Sequence, residues 1–230
     1  MKRMPHRLFH TALFLLLLCY VMPAQSDVGV FTLVDNGSPA CTIIIAHNPT
    51  PAARLASLEL QFHVLKMTGA ELPIRTDQEA VTGKRILIGD SDAALALGIK
   101  GSDFAPQEYL VAFRPDTLVL IGRDWEDTPE NRQEFGRPMN CGDTLKATRH
   151  KIDFWKTVGY PERSAGEMEL PGVYDDQGTC YAAYHFIEQF CDVRWYGASQ
   201  SSIIIPEQKT LQVKGQDIRR SPALKYRDAL

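Results

Sequence analysis

The feature that most constrains the fold is a strand-like segment followed at once by an amphipathic helix. Residues 41–46 are Cys-Thr-Ile-Ile-Ile-Ala, a β-branched and apolar run that suits a strand covered on both faces. Thr50 followed by Pro51 is typical of a helix N-cap with proline in the first turn, and Gly69 is typical of a helix end. Between them, four apolar residues recur at spacings of three or four and mark one helical face: Leu55, Leu58, Phe62 and Leu65.

The rest of the chain predicts a mixed sheet carrying two main helices. The second helix starts at Gly178 and runs for about 13 residues, and a short helix is expected over residues 93–97. Two hairpins are expected, one over residues 109–122 and one over residues 202–213. Hairpins beside crossover helices predict an α/β or α+β fold with both main helices on one face of the sheet. The other predicted strands are residues 31–34, 41–46, 72–75, 85–89 and 193–196.

One stretch breaks this pattern. Residues 124–176 are polar, contain many glycines, prolines and charged residues, and show no clear periodicity. Long irregular stretches are uncommon inside a compact domain and indicate an insertion or a functional loop. A short helix near residues 145–155 is the only element expected within it.

The N-terminus predicts export. Basic residues within 2–7 precede an apolar run at 12–22, and the small residues needed for cleavage follow at 24–26. A run of about 11 residues is short of the roughly 20 that span a bilayer, so a membrane anchor is the weaker alternative. Lipid attachment at Cys19 is rejected because Leu18 stands where a lipoprotein signal has a small residue. We therefore expect a signal peptide over residues 1–26 and a periplasmic or extracellular protein.

The overall charge also limits the partners. The chain carries a net charge of −3, and removal of its basic start makes it more acidic. An acidic surface without a basic cluster argues against nucleic acid as a partner. About 200 mature residues suit one domain, expected over residues 27–230.

Four cysteines remain after export: Cys41, Cys141, Cys180 and Cys191. An even number in an oxidising compartment permits two disulfides with three pairings. The alternative is that each is a free, buried cysteine that packs as a small hydrophobe. No Cys-x-x-Cys pair supports a zinc ribbon or a redox motif.

A hydrolase needs groups that donate and accept protons close to one bond, and for glycosides these are two carboxyl groups. Each candidate group lies in a turn or loop, where solvated charges are the commoner interpretation. A self-sufficient hydrolase using these carboxylates or Ser91 is therefore the least favoured hypothesis. The candidate groups are Asp90 with Asp92, Asp124 with Glu126 and Asp127, and Asp175 with Asp176.

The histidines indicate neither a metal site nor a cofactor. They form no His-Glu-x-x-His motif, and His63 and His185 lie within predicted helices, where packing or surface roles are commoner than metal binding. The sequence also lacks the glycine-rich phosphate and dinucleotide motifs and the Gly-x-Ser-x-Gly elbow. We expect no cofactor and no metal. The remaining mature histidines are His47 and His150.

The tryptophans are candidates for sugar stacking. Trp195 follows the second helix in a strand-like run, so core packing is favoured for it. Trp125 and Trp155 lie in the 124–176 stretch, where exposure is expected. If the chain binds a glycan, Trp125 and Trp155 are the predicted substrate-binding residues.

The second helix carries a family resemblance. The segment 177–196, Gln-Gly-Thr-Cys-Tyr-Ala-Ala-Tyr-His-Phe-Ile-Glu-Gln-Phe-Cys-Asp-Val-Arg-Trp-Tyr, resembles one found in N-terminal domains of bacterial α-glucuronidases and β-N-acetylhexosaminidases. The Met-Thr-Gly helix end at 67–69 and the Leu-Pro-Ile of 72–74 agree in order, as does the Pro-Ala-Leu-Lys-Tyr-Arg of 222–227. The resemblance covers roughly residues 40–227 apart from the insertion. Cys180, Cys191 and the 124–176 insertion depart from the simplest members of the family.

This resemblance implies a hexosaminidase N-terminal-domain-like fold, a mixed sheet with two helices on one side. It also implies that the catalytic carboxylates belong to a (β/α)8 barrel that follows, so no catalytic residue is assigned to this chain. We expect a non-catalytic accessory domain of a secreted glycoside hydrolase, partnered by a barrel in the same or a neighbouring chain. An exposed apolar patch is expected where the barrel docks. The alternative is a free-standing secreted module that binds glycan or another surface.

Overall fold

The structure, a computed structural model, describes residues 29–126, 150–172, 174–197 and 199–222. The predicted signal peptide, Cys141 and the segment 223–230 lie outside the described residues. The strands, in chain order, are β1 Phe31–Asp35, β2 Ser38–Pro39, β3 Cys41–Ile45, β4 Ile74–Thr76, β5 Lys84–Ile88, β6 Tyr109–Arg114, β7 Thr117–Gly122, β8 Asp124–Trp125, β9 Lys151–Asp153, β10 Glu167–Glu169, β11 Asp176–Gln177, β12 Arg194–Trp195, β13 Ile203–Ile204, β14 Leu211–Val213 and β15 Ile218–Arg220. The α-helices are α1 Pro51–Thr68, α2 Asp92–Ala96, α3 Phe154–Thr157 and α4 Gly178–Cys191.

A six-stranded mixed sheet forms the centre of the molecule, in the order β15-β6-β7-β5-β3-β4. Strands β4, β3, β5 and β7 are parallel, whereas β6 runs antiparallel to both β7 and β15. The predicted class, an α/β or α+β fold with a mixed sheet, is confirmed. The crossover through α1 joins β3 to β4, as the apolar run followed by an amphipathic helix predicts.

Both ends of α1 follow the expected chemistry. The Thr50 hydroxyl accepts a hydrogen bond from the Ala53 amide at 3.1 Å, which satisfies one of the free N–H groups of the first turn. At the other end, Gly69 adopts the left-handed conformation (φ +75°), and its amide donates to the Leu65 carbonyl at 2.9 Å. The helix therefore stops where glycine removes the steric penalty on that conformation.

Substituting Gly69 with alanine is expected to lower the free energy of unfolding by about 1 kcal/mol, because a Cβ disfavours the left-handed conformation. No atom lies within 4 Å of a Cβ built there, so the expected cost is conformational alone. Urea denaturation of Gly69→Ala beside Gly29→Ala measures it. The control position also has open space around its Cβ but no positive φ. Equal stability of the two variants would contradict this account of the helix end.

The two long helices, α1 and α4, pack side by side on one face of the sheet. Fully buried residues from both helices, Leu60 and Phe186 among them, join one core with Ile43, Ile86 and Leu120 from the strands. The opposite face is covered more thinly, by α2 and by Phe104, which packs in the cluster around Leu87 and Val119. The expectation of two main helices on one face is therefore confirmed.

The start of α4 approaches the end of β7 so closely that only glycine fits there. A Cβ built on Gly178 would lie 2.5 Å from the Arg123 nitrogen and 2.5 Å from the Glu108 oxygen. These are backbone atoms that cannot move aside, so a side chain at this position would push the helix off the sheet. The close approach brings the α4 N-terminus against the loop that carries Asp124.

Two local predictions are wrong. Residues 150–172 are not irregular, because β9 and β10 form an antiparallel pair there, with α3 between them in sequence. Residues 202–213 do not form a hairpin. Instead β13 pairs with β12, and β14 pairs with β1 so that Leu211 and Val213 enter the main core beside Phe31. Burial of these side chains outweighs the local turn that suggested a hairpin.

Three of the cysteines are free and buried, namely Cys41, Cys180 and Cys191. Burial raises the pKa of Cys41 and of Cys191 to about 12, so these thiols remain protonated and unreactive at neutral pH. Packing as small hydrophobes is the interpretation that the structure supports for these three. Within the described parts of the chain, none of the helices has the length and apolar character needed to cross a bilayer.

Candidate functional site

Asp124, one of the predicted candidates, joins the N-termini of both long helices. Its Oδ1 accepts a hydrogen bond from the Thr179 amide of α4 at 2.9 Å, and its Oδ2 accepts one from the Thr50 hydroxyl at the N-cap of α1 at 2.8 Å. Gln177 precedes α4 without a capping side-chain bond, so Asp124 supplies that cap from a neighbouring strand. Helix N-termini attract anions, and here a side chain of the protein occupies the position.

The desolvation of this carboxyl opposes its ionisation. Burial raises the pKa of Asp124 to about 6, while the hydrogen bonds from Thr179 and Thr50 lower it by a smaller amount. A raised carboxyl pKa is one mark of a general acid. In this position both oxygens already bind structural donors, which favours a role in joining the helices.

Three more of the predicted carboxylates have structural partners too. Asp90 accepts a hydrogen bond from the Gly101 amide at 2.8 Å, and Asp175 accepts one from the Gly172 amide at 2.7 Å. Asp176 is buried and pairs with Arg123 at 3.3 Å. These contacts fix loops, as expected for turn carboxylates. Asp127 lies outside the described residues.

Ser91 and two histidines also take ordinary positions. Ser91 is buried and caps α2 by accepting a hydrogen bond from the Ala94 amide at 3.2 Å, so its hydroxyl is not presented as a nucleophile. His47 and His150 are exposed. Within the residues that the structure describes, no group of three or more histidine, cysteine or acidic side chains could hold a metal ion.

The predicted exposure of Trp125 and Trp155 is wrong. Trp125 is only 8% exposed, in the strand β8 that pairs with β11. Trp155 is 3% exposed because its indole packs edge-on against Phe62 and Tyr160, with the Arg163 guanidinium 4.9 Å from its ring centre. Neither ring offers a free face for a sugar. Trp155 buries its large aromatic surface against α1, in a cluster with Leu58 and Phe154.

An open cavity of about 1060 Å³ lies instead between α1, α4 and the end of β15. Binding cavities in proteins are typically of this size and combine apolar walls with a few polar groups. We call it the interhelix cavity. Its principal polar lining residues are Glu59, His63, Tyr109, Tyr184, His185 and Glu188, and its principal apolar ones are Phe62, Tyr181 and Trp195.

Glu59 is the most perturbed acid in the interhelix cavity. Burial raises the pKa of its carboxyl to about 7, and the hydrogen bond from the Tyr184 hydroxyl lowers it by less. The side chain keeps 18% of its surface exposed, so it remains accessible from the cavity. A carboxyl that titrates near neutral pH inside a cavity is a candidate binding or acid–base group.

His63 lies one helical turn after Glu59 and is almost fully buried. Its Nδ1 donates to the Glu59 carbonyl at 2.8 Å, which makes the unprotonated Nε2 an acceptor. Burial also lowers the pKa of His63, so the ring is neutral at physiological pH. Nε2 has no hydrogen-bond partner among the described residues, and the Trp195 ring lies edge-on with its centre 5.4 Å away.

A second polar pair stands near the end of β15. The Tyr109 hydroxyl and His185 Nδ1 are 2.6 Å apart, and the two rings meet edge-on. Burial and the nearby Arg220 charge lower the pKa of His185. The cavity therefore presents two neutral histidines and the carboxyls of Glu59 and Glu188 beside aromatic rings.

Sequence reasoning missed this site. Glu59 and His63 are four residues apart, as are Tyr181 with His185 and Tyr184 with Glu188, so each pair shares a helical face. That spacing was the available signal. The pairing of the two faces depends on α1 packing beside α4, which the sequence does not reveal.

The chain was also compared with known proteins. It matches no family model, and no curated protein resembles it significantly in sequence. The interpretation of the site therefore depends on its own geometry.

Proposed function

We propose that this chain is a non-catalytic accessory domain of a secreted carbohydrate-active glycoside hydrolase, and that it supports a (β/α)8 barrel. The hexosaminidase N-terminal-domain-like arrangement, export and the barrel partner are part of this proposal. The observation that carries it is the use of the loop carboxylates. Asp90, Asp124, Asp175 and Asp176 each bind a structural donor rather than lining the interhelix cavity.

The surface supports a docking role. Tyr196 is 74% exposed and Ile204 is 58% exposed, and both belong to the β12–β13 region whose Trp195 and Ile203 line the interhelix cavity. Exposed large apolar side chains that lie close together often mark an interface. Ser221 and Pro222, which follow β15, border the same cavity. The chain therefore leaves the domain beside the surface to which a following domain would bind.

A second candidate function, a free-standing glycan-binding module, is favoured by one specific observation. The interhelix cavity combines aromatic rings with hydrogen-bonding groups, a combination that suits the apolar faces and hydroxyl edges of sugars.

The reading frame downstream of Leu230 separates the two proposals. A continuing frame with a barrel pattern supports the accessory domain, and a stop codon supports the free module.

The purified chain is expected to hydrolyse neither aryl glycosides nor aryl esters, because the four loop carboxylates named above are engaged in structural bonds. Release of nitrophenol by the wild-type chain, compared with Asp124→Asn and Ser91→Ala, measures this. Turnover that disappears in either variant would refute the non-catalytic proposal. A background rate equal in all three proteins agrees with it.

A further inference from the structure

We infer that the interhelix cavity is a binding site for a neutral saccharide, held by Glu59 and stacked against the ring of Trp195. This inference rests on the proposed function as an accessory domain of a carbohydrate-active protein. It adds that the domain itself binds a saccharide. It assigns the binding to residues on the two long helices and β12. It takes the place of the predicted role of Trp125 and Trp155.

The walls of the cavity define the ligand class. A purely apolar ligand would strip water from the Glu59 carboxyl, which is 18% exposed, without replacing the hydrogen bonds of that water, which is costly. A ring with one apolar face and several hydroxyl groups avoids that cost. Its hydroxyls donate to the carboxyl while its face lies on an aromatic ring.

The charges and helix directions disfavour an anion. Two acids, Glu59 and Glu188, and two arginines, Arg194 and Arg220, line the cavity, and the Arg194 guanidinium is bonded to the Asp192 carboxylate at 2.6 Å, so the cavity has no excess of positive charge. The cavity-lining residues of α1 begin at Glu59 and those of α4 at Tyr181, so neither helix presents its free N-terminal amides there. A phosphate or a sugar acid would therefore meet neither an excess of positive charge nor a helix N-terminus.

The aromatic part of the site is held by packing. The Trp195 ring meets the rings of His63 and Tyr184 edge-on, with centroids 5.4 and 5.9 Å away, and is itself only partly buried. The Tyr184 hydroxyl donates to Glu59, so the indole and the carboxyl are linked through one tyrosine. A binding site whose groups are already held in place loses little entropy when the ligand arrives.

Titration calorimetry and indole fluorescence test the inference. The neutral probes are cellobiose and N,N′-diacetylchitobiose, and the anionic probe is glucuronic acid. We expect at least one neutral disaccharide to bind in the millimolar range and glucuronic acid to bind more weakly. Glu59→Gln and Trp195→Leu are each expected to weaken binding about tenfold. Trp155→Phe, which alters a ring outside the cavity, is the matched control and is expected to leave binding unchanged.

Thermal unfolding of each variant shows that it is folded before binding is measured. Absence of binding by all three sugars overturns the inference, and so does loss of binding in Trp155→Phe with retention in Trp195→Leu. Neither result affects the non-catalytic proposal, which depends on the nitrophenol assay. Turnover in that assay would refute the accessory role while leaving the cavity as a sugar site.

Discussion

Replacing Asp124 with alanine is expected to lower the free energy of unfolding by about 3 kcal/mol, because a buried and a half-buried donor lose their acceptor at once. These donors are the Thr179 amide at the start of α4 and the Thr50 hydroxyl at the start of α1. Each long helix then begins with an unsatisfied group, and the contact that holds the two N-termini together is lost. Urea denaturation at pH 7 measures the change.

Two variants sharpen this test. Asp124→Asn keeps one side-chain oxygen as an acceptor and places no charge in the buried site, so it is expected to cost less, about 1 kcal/mol. Asp103→Ala removes an exposed carboxylate and is expected to stay within about 0.5 kcal/mol of the wild type. If Asp124→Ala is as stable as Asp103→Ala, the carboxylate does not join the helices, and a functional role for it is favoured again.

Replacing Glu59 with glutamine is expected to stabilise the protein at pH 8 but not at pH 4. In the folded protein burial raises the carboxyl pKa to about 7, from an ordinary value of 4.5. Below pH 4.5 both the folded and the unfolded chain keep the proton, so this group contributes nothing to stability. Between pH 4.5 and about pH 7 the folded state binds more protons than the unfolded state, so the free energy of unfolding falls as the pH rises.

This loss in the free energy of unfolding is complete above pH 7. It amounts to about 3 kcal/mol, which corresponds to the difference between the unfolded and folded pKa values of Glu59. Glutamine has no proton to lose, and its Oε1 still accepts the Tyr184 hydroxyl. The stability advantage of Glu59→Gln over the wild type is therefore expected to grow from near zero at pH 4 to about 3 kcal/mol at pH 8. The nearby His63, Cys180 and Tyr184 remain in both proteins, so the difference isolates this carboxyl.

Glu188→Gln is the matched control for the pH series. Glu188 lines the same cavity but is exposed, so its replacement removes no buried carboxyl and is expected to give no comparable gain in stability between pH 4 and pH 8. Denaturation curves recorded at intervals from pH 4 to pH 8 give the comparison. A constant stability difference between Glu59→Gln and the wild type across this range would show that Glu59 ionises freely in the folded chain.

The interhelix cavity was not predicted from the sequence because its residues have no local signature. The β3–α1 unit followed from a continuous apolar run, an N-cap threonine and a left-handed glycine, all of which act within a few residues of sequence. Strand β15 was missed because Arg219 and Arg220 are charged, as suits the edge of a sheet. Trp125 and Trp155 were expected on the surface because polar residues surround them in sequence, although aromatic and strand neighbours bury them.

The sequence by itself determined the long helices, the parallel strands and the hairpin of β6 and β7, because helix caps and apolar periodicity arise from neighbours along the chain. The tertiary structure alone decided that Asp124 joins the N-termini of α1 and α4. It also decided that Glu59, His63, Tyr184 and Trp195 line one cavity. These contacts join residues far apart in sequence. They depend on how α1 packs beside α4, and burial there changes a glutamate from an ordinary surface acid into one that titrates near neutral pH.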